Sequence, residues 1–178
     1  MAVYGDPNKF ALIVERIEQW TDVKSHVNGV FHFVIDQCIY PRRVRVSTLS
    51  ADIGGLASDN ALLSGPQCDA VGGMGAKAAF TFLLNRMRPG HLLSDDDIPD
   101  DFVDDYTYQA STDNLENDSC YVFAVGVGDE IRILGAKMES PLDDGPSLIA
   151  DLAEVWVGRD EVRDIIRQVR SDFGWGDN

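Results

Sequence analysis

The chain has 178 residues, 44% hydrophobic and 25% charged, the length and balance of one ordinary globular domain, which excludes wholesale disorder, collagen-like repeats and a fibrous coil. No apolar run approaches the roughly 20 residues that span a bilayer, and the opening Met1 to Pro7 has neither a basic stretch nor an apolar core of a leader, so neither a membrane span nor export is expected and the expected compartment is cytoplasmic. Fifteen Lys plus Arg against thirty Asp plus Glu leave a formal net charge of −15, a field that repels nucleic acid and favours a basic protein surface or a cation.

Phe10 to Trp20 has no clean helical or strand period, and its β-branched content favours a strand. Asn28-Gly29 then opens the apolar run Val30 to Ile35, and Asp36-Gln37 can turn it into Cys38-Ile39-Tyr40, which predicts a hairpin. Pro41 interrupts the ladder, and Val44-Arg45-Val46-Ser47 resumes the alternation of a strand near a sheet edge. Arg42, Arg43 and Arg45 read as solvating charges that discourage edge-to-edge pairing. Thr48 or Ser50 can cap a helix from about Ala51 to Leu63, short or broken because Gly54 and Gly55 each cost about 1 kcal/mol relative to Ala. The Gly72-Gly73 turn leads into Ala76 to Met87, where Ala79, Phe80, Leu83, Leu84 and Met87 trace one helical face, and Pro89-Gly90 ends it.

Between Pro89 and Ile131 the chain has no Lys or Arg and twelve Asp and Glu, so one quarter of the length holds most of the net charge. Residues 94–105 form its densest part, with Ile98, Phe102 and Val103 as the only apolar anchors, and predict a long surface loop. Tyr106 to Ser111, Cys120 to Val125 and Glu130 to Leu134 read as strands, the last two joined as a hairpin by a short glycine-bearing link. Leu152 to Val157 adds another. Arg159 to Phe173 aligns Val162, Ile165, Ile166, Val169 and Phe173 as an amphipathic C-terminal helix. The whole is read as one domain over 1–178, of α+β class, with a largely antiparallel sheet and two or three helices.

Chemistry is sparse. The seven aspartates of 95–105 lack EF-hand spacing, because Pro99 and Asp100 fall where a ligand and the invariant glycine belong, so no metal is expected. Gly72 to Lys77 lacks the hydroxyl residue of a Walker A loop, and Gly126-Val127-Gly128 lies between hairpin strands rather than before a helix, so no nucleotide cofactor is expected. No nucleophile elbow is present, and His26, His32 and His91 sit in no catalytic motif. His32, inside an apolar strand, reads as a packed residue. Cys38, Cys68 and Cys120 are odd in number and far apart, and read as buried thiols of a reducing compartment. No catalytic residue is assigned. The candidate binding residues are Asp95, Asp96, Asp97, Asp100, Asp101, Asp104 and Asp105, with Tyr106 and Tyr108 expected on one sheet face as aromatic anchors.

Gly5-Asp6-Pro7 with Phe10-Ala11, Asn28 to Phe31, Tyr40-Pro41 with Ser47-Thr48-Leu49, Asp105 to Thr112, and Tyr121 to Phe123 through Gly128 to Gly135 occur in an order and spacing that resembles the Immunity protein 42 family of bacterial polymorphic toxin systems, over roughly residues 3–138. The resemblance implies a small cytoplasmic antidote that binds a cognate toxin domain and needs no catalysis. If that toxin is a basic nuclease, its cationic cleft is a natural seat for an acidic loop. Two other readings fit the composition: an acidic scaffold domain unconnected with a toxin, and a small hydrolase with a dispersed site.

Overall fold

The computed structural model describes residues 1–21, 26–140 and 145–175. Five strands form a first antiparallel sheet: β1 (Ala2–Gly5), β2 (Phe10–Arg16), β3 (Asn28–Ile35) and β4 (Cys38–Tyr40) in sequential order, with β5 (Ser47–Thr48) also on β3. Three form a second: β6 (Cys120–Val127), β7 (Glu130–Glu139) and β8 (Leu148–Gly158). Six α-helices lie among the described residues: α1 (Leu49–Gly55), α2 (Ala61–Ser64), α3 (Asp69–Gly72), α4 (Ala76–Met87), α5 (Asp113–Glu116) and α6 (Arg159–Asp172). The class is α+β with antiparallel sheets and a C-terminal helix, as expected, but the helices number six rather than two or three. Three of the six are single turns, too short for a hydrophobic period to reveal.

The second sheet is the middle layer. One face, with Val122, Ala124, Ile131, Ile133 and Val157, packs on the first sheet and on α1, α2 and α6. The other, with Tyr121, Phe123, Val125, Leu134 and Ala136, packs under α4. Burial on both faces explains why β6 reads as an unbroken apolar run instead of an alternating one. At Gly135 the layers nearly touch, for a Cβ there would lie 2.6 Å from Ile35 Cδ1. Phe80 of α4 meets Phe123 edge-on at 5.3 Å between ring centroids, a favoured aromatic geometry.

Both expected hairpins form. Asp36 and Gln37 each take positive φ, 45° and 65°, as the two-residue turn that matches strand twist requires. Gly128, at φ 58°, opens the two-residue turn between β6 and β7. Helix α4 has the expected limits, and α6 buries Val162, Ile165, Ile166 and Val169, each worth about 1.5–3 kcal/mol if fully removed from water. At the C-terminal end of α6 the Arg170 guanidinium donates to the carbonyls of Ile53 and Leu56 at 3.4 and 3.1 Å. Trp175 is partly exposed and rests on α1 beside Gly54.

The helix read from Ala51 to Leu63 is broken, as Gly54 and Gly55 predict, into α1 and α2, with the two glycines closing the first piece. Two expectations need correction. Val44 to Val46 form no strand: both valines are exposed, at 70% and 56%, while Arg43 and Arg45 reach across to the carboxylate of Asp118. These arginines are therefore ion-pair partners rather than free edge charges. Tyr106 to Ser111 is not a strand either, because the Asp105 carboxylate accepts from Thr107 N at 3.0 Å and turns the chain. Only Gln109 forms a bridge, to Phe123. Of the three thiols, all free, Cys120 alone is buried, and burial pushes it up to about 11; Cys38 and Cys68 are half-buried.

Candidate binding surface

Asp95, Asp96 and Asp97 occupy one turn of 3-10 helix, in which Ser94 Oγ donates to Asp97 Oδ2 at 2.6 Å. These three, with Asp100 and Asp101, are exposed, and among the described residues no ion pair reaches them. Their charges face water unneutralised.

Asp104 and Asp105 differ. Arg86, in the last turn of α4, donates from Nε and Nη2 to Asp105 Oδ2 at 2.9 and 2.5 Å, and Arg88 lies 3.9 Å from Asp104 Oδ2. The bond from Thr107, with the Arg86 pair in support, holds the Asp105 carboxyl below its ordinary range. An acidic run that has no basic residue within itself is thus opposed at its end by cations from a neighbouring helix. Sequence distance hid the pairing, since the partners stand about one acidic loop apart along the chain.

The two tyrosines are not companions on a sheet face. Tyr106 is 41% exposed, donates its hydroxyl to Asp104 Oδ2 at 2.9 Å, and lies under the Arg88 guanidinium at 5.3 Å. Tyr108 is half-buried and donates to Gln67 O at 3.4 Å. Tyr106 therefore remains beside the acidic group as an aromatic contact, whereas Tyr108 helps to hold the chain down.

Tyr106 also forms one wall of a polar cleft of about 260 Å³ between α1, α5 and the 106–112 segment, with Asp59 and Asp113 on its rim. Its floor is Asp52, fully buried, whose oxygens accept from Ser47 Oγ at 2.7 Å and Thr112 Oγ1 at 2.5 Å. Beside it Asn60 accepts from Leu62 N at 3.0 Å as the N-cap of α2, and donates to the carbonyls of Gly55 and Ala110. Sequence reasoning missed both. The available signals were Asp52 just before Ile53, and Asn60 as a capping residue immediately before the apolar Ala61-Leu62-Leu63.

Nearby, Glu116 accepts from Ser111 Oγ at 2.7 Å and from the Gln109 amide, and burial raises its carboxyl. His91 Nε2 lies 2.6 Å from the Tyr121 hydroxyl, and burial lowers the imidazole. His32, buried, meets Pro41 O with Nδ1 at 2.8 Å, as a packed sheet histidine should. These polar groups are bound to backbone and to one another in structural roles. Among the described residues no three His, Cys, Asp or Glu side chains are placed to hold a metal ion. What the face offers is exposed negative charge, hydrogen-bond acceptors and one aromatic ring.

The family model for Immunity protein 42 matches residues 1–172. No curated protein matches the chain. The fold is similar to the crystal structure of CdiI from Burkholderia dolosa AUO158, with a TM-score of 0.71 and 18% sequence identity, over 96% of this chain and 99% of that one.

Proposed function

The chain belongs to the Immunity protein 42 family, and from that premise we propose that it neutralises its cognate polymorphic toxin in the cytoplasm by occupying the toxin's surface, one to one and without catalysis. The observation that carries the binding mode is the group Asp95, Asp96, Asp97, Asp100 and Asp101, exposed and without ion pairs among the described residues. Such a group speeds encounter with a basic partner and orients it before contact.

A nuclease is the toxin class this chemistry suits, because an enzyme that grips phosphates must carry a cationic cleft. Asp104, Asp105 and Tyr106 continue the acidic segment, with Arg86 paired to Asp105 and Arg88 beside Asp104 and Tyr106.

Paired expression tests the reading. The toxin domain encoded beside this gene should kill cells alone and spare them when this chain is co-expressed; killing despite confirmed expression of both defeats it. Titration against a fixed amount of toxin should saturate near equivalence. Full inactivation at strongly substoichiometric amounts would mean that the chain is instead an enzyme acting on the toxin.

A further inference from the structure

The two outer edges of the second sheet can be assigned atom by atom. Val127 and Glu130 flank a two-residue turn and face each other, so their N–H and C=O groups bond across the hairpin and the next residues along each strand point away. The contacts on the outer side of β6 agree: Gly126 N donates to Pro66 O at 2.8 Å, Ala124 N to Tyr108 O at 3.0 Å, and Val122 O accepts from Ala110 N and Ser111 N at 2.8 and 3.0 Å.

Carried through the register to β8, this parity turns Ala153, Val155 and Val157 toward Gly135, Ile133 and Ile131 of β7. Glu154 and Trp156 therefore aim their N–H and C=O groups outward, and the Leu152 carbonyl joins them; before it the ladder shifts register, with Asp151 at φ 53°. Among the described residues, nothing outside β8 bonds these five groups. They form a regular row, with donors and acceptors alternating at the spacing of a strand.

The side chains beside that row are braced. Trp156 is 38% exposed. Its ring lies 5.2 Å from the guanidinium of Arg132, and its Nε1 donates to Glu154 Oε1 at 3.0 Å. Arg132, only 2% exposed, donates to the same Glu154 oxygen at 2.8 Å and to Val71 O at 2.5 Å. An indole held in this way loses little freedom on binding, and aromatic residues of this kind are frequent interface anchors.

We propose that an extended, basic segment of the cognate toxin adds to the outer edge of β8, pairing with Leu152, Glu154 and Trp156 through the backbone and packing on the Trp156 ring. The occupant follows from charge: a second copy of this chain would bring together two molecules of net charge −15, whereas a basic strand is drawn in by the same field. Backbone pairing supplies affinity, and the flanking side chains supply choice. The proposal rests on the toxin-neutralising reading and adds the surface that holds the toxin after the acidic group has steered it in.

Amide hydrogen exchange on the wild-type chain, with and without the purified cognate toxin domain, tests it. Protection should appear at the amides of Glu154 and Trp156 only in the complex. Trp156→Ala, which keeps the outward N–H, should weaken Kd by on the order of 30-fold. Trp156→Pro removes that N–H as well and should weaken it by roughly a further 10-fold, since proline is tolerated at an outward edge position. Circular dichroism checks that both variants fold; if the proline variant does not, exchange on the wild type decides. Toxin neutralised with no protection at these amides overturns the inference alone. Protection already present in a dimer of the free chain assigns the edge to a second copy and also overturns it. A wild-type chain that neither binds nor neutralises the toxin defeats the functional reading and the inference with it.

Discussion

The second sheet has one sealed edge, β6, buried along most of its length, and, among the described residues, one open edge, the less buried β8. On β6 the chain's own irregular segments supply the missing partner, with Pro66 on one stretch and Tyr108 to Ser111 on the other. On β8, among the described residues, no such segment arrives. The difference shows that the edge of β6 is closed by where the connections run, and that a strand left open can serve as a binding template.

The largest effect should come from breaking the seal at its tightest point. A Cβ on Gly126 would lie 2.5 Å from Gly65 O and collide with the Arg159 guanidinium, which itself donates to Gly65 O and Gly128 O. Gly126→Val should therefore lose about 3 kcal/mol or more in denaturant unfolding; a loss under 1 kcal/mol would show the cover to be soft. Next comes Asn60→Ala, which removes the cap of α2 and leaves the carbonyls of Gly55 and Ala110 without the donors they have now. A loss of roughly 2 kcal/mol is expected, with faster amide exchange at Ala110 and Ser111 while β8 stays unchanged. Equal acceleration on both edges would erase the contrast.

A smaller effect should follow from Asp105→Asn, which keeps the turn to Thr107 but removes the charge that Arg86 meets near the surface. About 1 kcal/mol at most is expected at pH 7. Because the folded carboxyl titrates below its unfolded value of about 3.9, its contribution is fully present above that pH and disappears as pH falls through the lower, folded value. Thermal melts of the variant and the wild type should thus differ at pH 7, begin to converge only below about pH 4, and meet once the folded carboxyl is protonated; a difference that persists after that would assign the loss to packing. Least of all in stability, replacing Asp95, Asp96, Asp97, Asp100 and Asp101 with Asn should change unfolding by about 0.5 kcal/mol or less. The same variant should slow toxin association by roughly 10-fold at low salt and flatten its salt dependence, with dissociation little altered. An unchanged association rate would make the acidic group a bystander and leave β8 to account for binding alone.

Legibility in the sequence follows the same division. Elements that carry their own pattern were readable: the β3–β4 and β6–β7 hairpins from apolar runs and turn residues, α4 and α6 from one-sided hydrophobic faces. Elements that exist by virtue of a neighbour were not. Tyr106 to Ser111 alternates like a strand, yet it takes a ladder only where β6 meets it, because Asp105 bends the chain just upstream. Strand β1 is four residues long and was not foreseen; its partner β2 supplies its hydrogen bonds. Of the candidate site, the exposed aspartates and Tyr106 were found from charge and composition. Asp52, Asn60 and the roles of Arg86 and Arg88 were not, since each depends on contacts between segments 16 to 60 residues apart. The open edge of β8 belongs to the same class, because an unpaired row of backbone groups has no residue signature.

The docking of α6 also governs when the protein can begin to act during its synthesis. Tyr4 of β1 donates its hydroxyl to Asp172 at the end of α6 at 3.0 Å, and burial, with that contact in support, pushes the phenol up to about 12. Val162, Ile166 and Val169 share one core with Phe10, Leu12 and Phe31. A nascent chain that has made all five strands of the first sheet still lacks the helix that covers them, and it waits while the remaining residues are added at about 5–20 per second. A ribosome-bound chain halted at Gly158 should stay open to protease within β2 and β3, and one released after Asp172 should resist. A cell that relies on this chain is therefore defended by the stock already folded, not by molecules still being translated.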